Sequence, residues 1–209
     1  DIELQRKLEA SGAVLIRGAK ACGKTESAKQ FARSVIYVDR DEQFQLLFDT
    51  APKRLLLGET PRLIDEWQVI PKLWNQVRHE VDDRKKTAQF ILTGSANPEE
   101  NVNMHSGAGR FTIVDMRTMS WQELGMSDAT IKLADLFQGF SVEVQNERTE
   151  LELIIEQICK GGFPSLMDSK VEQALEVNRA YVELLAEVDM SRVSQNRRDP
   201  MKVRSLLKS

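Results

Sequence analysis

Cysteine and histidine are scarce, with two of each among 209 residues. Cys22 and Cys159 lie far apart and show no metal-ligand spacing, so a reduced, cytoplasmic setting is the expectation. His79 falls on the polar face of a helical pattern and His105 sits in a loop, and neither acquires a role from its neighbours. No apolar run approaches the ~18 residues of a membrane span, and no signal-peptide pattern opens the chain, so no membrane partner is expected. The formal net charge of −3 argues against a generally basic nucleic-acid-binding surface, although a local basic patch remains compatible with it. What remains is an ordinary globular composition, 41% apolar and 29% charged, long enough for one domain of usual size and a smaller companion.

Against that plain background one octet stands out, Gly18-Ala19-Lys20-Ala21-Cys22-Gly23-Lys24-Thr25. It fits G-x-x-x-x-G-K-[ST] without a gap, the pattern of a loop that wraps nucleotide phosphates. Its flanks suit that reading. Ala13-Val14-Leu15-Ile16 is a short apolar run that reads as a buried strand. Thr25 to Ala32 reads as a helix with Ala28, Phe31 and Ala32 on one face. The glycines let successive backbone N–H groups turn toward phosphate oxygens, and the start of the helix contributes its unpaired N–H groups. Lys24 supplies a point charge to the β- and γ-phosphates, and the Thr25 hydroxyl is placed to ligate Mg²⁺. The expected cradle is Gly18, Ala19, Lys20, Ala21, Cys22, Gly23, Lys24, Thr25 and Glu26, with the Cys22 side chain facing away from the nucleotide.

Further strands are expected at Val35–Val38, at Leu63-Ile64 closing on Asp65 and Glu66, at Gln89–Ser95 and at Phe111–Val114. In a parallel α/β sheet, ligands gather at the C-terminal strand edge. Asp65 would hold Mg²⁺ there, and Glu66 would orient and polarise an attacking water. The bland alternative is that Asp65-Glu66 merely begins a helix. Ile70, Leu73, Trp74, Val77 and Val81 then predict an amphipathic helix with Pro71 near its first turn. Thr93 or Ser95 would sense the γ-phosphate, and nothing in the sequence separates the two.

From Ser120 onward helices replace strands. Leu151, Ile154, Ile155 and Ile158 form a helical stripe expected to be core, ended by Gly161-Gly162 and Pro164. A longer helix is expected, capped near Asp168 or Ser169, with Val171, Leu175, Val182 and Leu185 on one face. The basic residues Arg192, Arg197, Arg198, Lys202 and Arg204 read as a solvated helix face rather than as a patch for phosphate or DNA. The division expected is an α/β core over 1–118 and an all-helical lid over 119–209. Asp1 opens inside a helical pattern, and the chain stops within Val203-Arg204-Ser205-Leu206-Leu207, which reads as a piece of a longer protein.

The ordered segments GAKACGKT, LIDEWQ, FILTGSAN, HSGAGRF, MRTMSWQELG, GGFP and RRDPMKVRSLL resemble a family of bacterial and archaeal AAA+ ATPases. Its members continue into a restriction-nuclease-like C-terminal domain. The first three segments are common to many P-loop ATPases, and MRTMSWQELG and GGFP are far more specific. The resemblance implies a three-layer P-loop α/β sandwich around a five-stranded parallel sheet, followed by a helical lid. It places Lys24 and Thr25 on Walker A, Asp65 and Glu66 on Walker B, and Thr93 and Ser95 on sensor 1. It also likens Arg110 to the arginine that clamp-loader-type members offer to a neighbour's nucleotide, which would make the chain a homo-oligomer; the alternative is a surface arginine. Arg197, Arg198 and Arg204 are the sensor-2 candidates. The resemblance names ATP and Mg²⁺ without naming a protein or nucleic-acid client. Three other readings stand beside an ATPase: a slowly hydrolysing signalling switch, a small-molecule kinase, and a GTPase, the last weakened by the lack of an N-K-x-D segment.

Overall fold

The computed structural model describes residues 2–40, 43–95, 107–127, 131–140 and 150–189, together with Lys202, Ser205 and Leu206. The chain divides into two compact units, Asp1–Thr118 and Met119–Ser209.

The first unit is an α/β sandwich. Its strands are β1 (Ala13–Gly18), β2 (Ser34–Tyr37), β3 (Arg62–Asp65), β4 (Phe90–Gly94) and β5 (Phe111–Met116), all parallel, in the order β2-β3-β4-β1-β5. Successive side chains of a strand point to opposite faces, and the core divides accordingly. Ala13, Leu15, Ile64, Phe90 and Leu92 pack on one face with Trp67, Leu73, Trp74, Val77 and Val81. Val14, Ile16, Leu63 and Ile91 pack on the other with Leu4, Leu8 and Ala28. Both faces are covered, so the central strands read as continuous apolar runs rather than as an alternation.

The helices that cover the sheet are α1 (Ile2–Ala10), α2 (Lys24–Lys29), α3 (Gln43–Thr50), α4 (Pro52–Leu55) and α5 (Leu73–Arg84). The helix expected from Ile70 begins later, because Pro71 and Lys72 form a turn ahead of Leu73. Ile70 is nevertheless buried, held by its N–H to the Trp67 carbonyl at 3.1 Å. His79 is exposed on α5, as its polar face requires. His105 lies outside the described residues.

The regular elements of the second unit are all helical among its described residues, with α6 (Leu133–Phe137), α7 (Leu151–Lys160) and α8 (Val171–Leu184). Gly161, at φ 72°, ends α7 as expected. The N-cap of α8 is Lys170, next to the expected Asp168 and Ser169, and its N–H reaches Gln173 Oε1 at 3.3 Å. One expectation fails here. The α7 stripe is not core among the described residues: Leu151, Ile155 and Ile158 are exposed, and no residue of the helix is buried. What α7 does make is a contact from its C-terminal end to α8, where Asn178 Nδ2 donates to the Cys159 carbonyl at 3.0 Å. Of the basic cluster, only Lys202 lies within the described residues.

Candidate active site

The octet forms the turn between β1 and α2, at the C-terminal edge of the sheet. Gly18 is required by space, since a Cβ there would run into the Met116 carbonyl at the end of β5. Ala21 takes a left-handed conformation at φ 61°, and Gly23 at φ 102° leads into the first turn of α2. Left-handed backbone at two nearby positions is what curls a loop tightly enough to turn its N–H groups inward. Cys22 is buried, with its Sγ 3.9 Å from the Met116 carbonyl, so its thiol packs against the end of β5. Lys24 is buried as well. Its Nζ donates to the carbonyls of Gly18 at 3.1 Å and Ala19 at 2.8 Å. A buried ammonium must be met by acceptors, and the loop's own backbone provides them. Glu26, in the same first turn of α2, pairs with Lys29 at 2.6 Å.

Strand pairing brings the acidic residues to the loop. β3 lies beside β4 with Asp65 opposite Thr93. Asp65 is 6% exposed, and its Oδ1 accepts from Thr25 Oγ1 at 2.8 Å and from Thr93 Oγ1 at 2.5 Å. Three hard oxygen groups, from the first turn of α2, β3 and β4, thus converge on one point. Ser95 lies past the end of β4 and is exposed.

Glu66 leaves the strand at φ 53°, ψ 44° and opens a 3-10 turn over Trp67–Val69. A left-handed non-glycine residue is uncommon, and here it takes the carboxylate off the alternation of β3. Gln68 Nε2 donates to Glu66 Oε2. The sequence reading assigned Gln68 nothing. Its offset of two from Glu66 belongs to neither the helical nor the strand repeat, so only the turn brings the two together.

A family model described as an AAA domain matches residues 10–125, more than half of the chain. The chain belongs to that family. The AAA domain is of the nucleotide-binding ATPase kind, consistent with its parallel α/β sheet and phosphate-binding loop. Similar curated relatives are an uncharacterised protein of Mycobacterium bovis and one of Mycobacterium tuberculosis. Each is 29% identical over 130 residues, 60% of this chain. The match covers 30% of either relative, so the chain spans about a third of their length.

Arg110 stands apart from the rest of this AAA domain's candidate residues. It precedes β5 at the N-terminal edge of the sheet, where its carbonyl accepts from Ala13 N at 3.1 Å. At ~3.3 Å per residue, the length of β1 separates it from the loop at the other edge. Its guanidinium engages Asp82 of α5 at two points, Nε to Oδ1 at 2.8 Å and Nη2 to Oδ2 at 3.3 Å. Hydrogen bonding from Arg110 holds the Asp82 carboxyl below its usual range and raises the guanidinium in turn. The AAA domain therefore brings Lys24, Thr25, Asp65, Glu66 and Thr93 to one edge and leaves Arg110 at the other. Among the described residues no cluster of three or more His, Cys, Asp or Glu side chains suited to a metal is found. No described helix is long and apolar enough to cross a membrane.

Proposed function

We propose that the chain hydrolyses ATP with Mg²⁺, and that Glu66 activates the attacking water. The observation that carries this reading is the convergence of Thr25 and Thr93 on one oxygen of the buried Asp65. Mg²⁺ prefers oxygen ligands, takes one or two from protein, and leaves the rest to phosphate and water. The Thr25 hydroxyl and the Asp65 carboxylate meet that requirement, and these two residues would hold the ion. When bound, it would neutralise charge on the β- and γ-phosphate oxygens.

The remaining chemistry would fall to the chain's own side chains. Lys24 exchanges the carbonyls of Gly18 and Ala19 for phosphate oxygens, while Gly18 to Glu26 supply the backbone cradle. Thr93, tied to Asp65, reports on the γ-phosphate. Glu66 orients a water in line with the γ-phosphorus and accepts its proton as the new P–O bond forms and the bond to the β-phosphate oxygen breaks, giving ADP and phosphate. Positioning and charge neutralisation supply most of the acceleration. Arg110, at the far edge and paired to Asp82, is out of reach of its own nucleotide. Its role is proposed in trans, at the site of a second copy.

Fluorescent mant-ATP titrations with and without Mg²⁺ test the site. Lys24→Ala loses nucleotide affinity under both conditions, whereas Asp65→Asn loses the Mg²⁺-dependent part alone. Equal affinity of wild type and Lys24→Ala would remove the octet from nucleotide binding.

A further inference from the structure

LIDEWQ carries one polar residue that this mechanism leaves unused, Gln68, and we infer that it is the positioning residue for Glu66. The inference rests on Glu66 being the water-orienting carboxylate. The hydrogen bond from Gln68 Nε2 engages Glu66 Oε2 alone, so Oε1 keeps its capacity to accept from a water. A carboxylate at the end of a long side chain has several rotamers to choose among. One fixed donor reduces that choice, and pre-orientation of a catalytic group is a large share of what an active site supplies.

The other end of the Gln68 amide faces Gly94. Its Oε1 is buried and has no hydrogen-bond partner among the described residues, and the same is true of Trp67 Nε1. Both atoms lie on the 3-10 turn that follows Glu66. Both flank Gly94, the residue between Thr93 and Ser95. A Cβ on Gly94 would collide with Gln68 Oε1 and lie 2.9 Å from Trp67 Nε1. The absence of a side chain at Gly94 is what lets the Gln68 amide lie between β4 and Glu66. Trp67 is 1% exposed and stands 5.5 Å from Trp74 ring to ring, which anchors the turn in the core. Through Gln68, the end of β4 that carries Thr93 sets the position of the carboxylate that acts on water.

The test measures ATP turnover and mant-ATP affinity of the whole chain with Mg²⁺. The variants are Gln68→Met, Gln68→Ala, Gly94→Ala and the double variant Gly94→Ala/Gln68→Ala, with Glu66→Gln alongside. Methionine fills nearly the same volume without the N–H donor. Gln68→Met is expected to lower kcat about tenfold or more, while KM for ATP and mant-ATP affinity stay within about twofold of wild type. Gly94→Ala lowers kcat in the wild-type background by displacing Gln68, and adds a much smaller loss to Gln68→Ala, where only the contact to Trp67 Nε1 remains. Should Gln68→Met not fold, Gly94→Ala alone and in the Gln68→Ala background answers the same question. Wild-type kcat in Gln68→Met, or kcat and nucleotide affinity falling together, would overturn the role of Gln68 while leaving Glu66 in place. Full turnover by Glu66→Gln, or none by wild type, would instead remove the reading beneath it and the role of Gln68 with it.

Discussion

Thr93 and Ser95 are two residues apart, on a strand that ends between them, and their surroundings could hardly differ more. Thr93 is 0% exposed and bonded to Asp65, whereas Ser95 is exposed beyond β4. The strand repeat explains why the sequence left them equal, since residues two apart share a face, and only the strand's end divides them. A hydrogen bond to a charged group contributes about 1.5–3 kcal/mol. If the transition state uses that bond fully, Thr93→Val lowers ATP turnover by about tenfold to hundredfold, and Ser95→Ala changes it by less than about threefold. Steady-state phosphate release from the two variants decides the matter. A larger loss in Ser95→Ala would exchange their roles.

At the level of elements, the sheet and its active edge were legible because buried parallel strands advertise themselves as continuous apolar runs. Ala13–Ile16, Leu63-Ile64 and Phe90–Leu92 are such runs, and each ends in polar residues at the same edge. What was not legible depends on contacts that no local pattern encodes. Pro71 delays α5 to Leu73 while Ile70 stays in the core. The left-handed turn at Glu66 hides the pairing with Gln68. The α7 stripe reads as core by its period, yet Leu151, Ile155 and Ile158 are exposed. Gly18 illustrates the same point where loop meets sheet. The octet demands it for a turn, and β5 demands it for space, because its missing side chain clears the Met116 carbonyl. Backbone cannot yield as a flexible side chain would. Gly18→Ala is therefore expected to cost about 1–3 kcal/mol by overpacking, equivalent to a fall in Tm of several degrees at ~2–4 °C per kcal/mol. Thermal unfolding without nucleotide checks this apart from any effect on binding, and an unchanged Tm would contradict the close approach of β5.

For the whole molecule, the proposal that Arg110 acts at the nucleotide of a second copy predicts how turnover depends on assembly. Turnover per chain should rise with protein concentration, and Arg110→Ala should remove the rise while sparing nucleotide affinity. The Asp82 carboxyl is held down by Arg110, so the pair is intact at neutral pH. It survives through the ordinary aspartate range, and is lost only as pH falls through the lowered value. Acidification within the neutral range therefore does not free the arginine, but Asp82→Asn should, shifting the rise to lower protein concentration. Sedimentation alongside the assay separates a change in assembly from a change in chemistry. A rate per chain that is flat across concentration would leave Arg110 with its surface role beside Asp82. The chain spans about a third of the length of its mycobacterial relatives. The central claim is narrower, that Glu66 turns a bound nucleotide into a hydrolysed one. Its most direct measurement is ATP turnover and mant-ATP affinity side by side in wild type and Glu66→Gln. Turnover at least about a hundredfold lower with affinity unchanged is the predicted result, and equal turnover in the two proteins would contradict it.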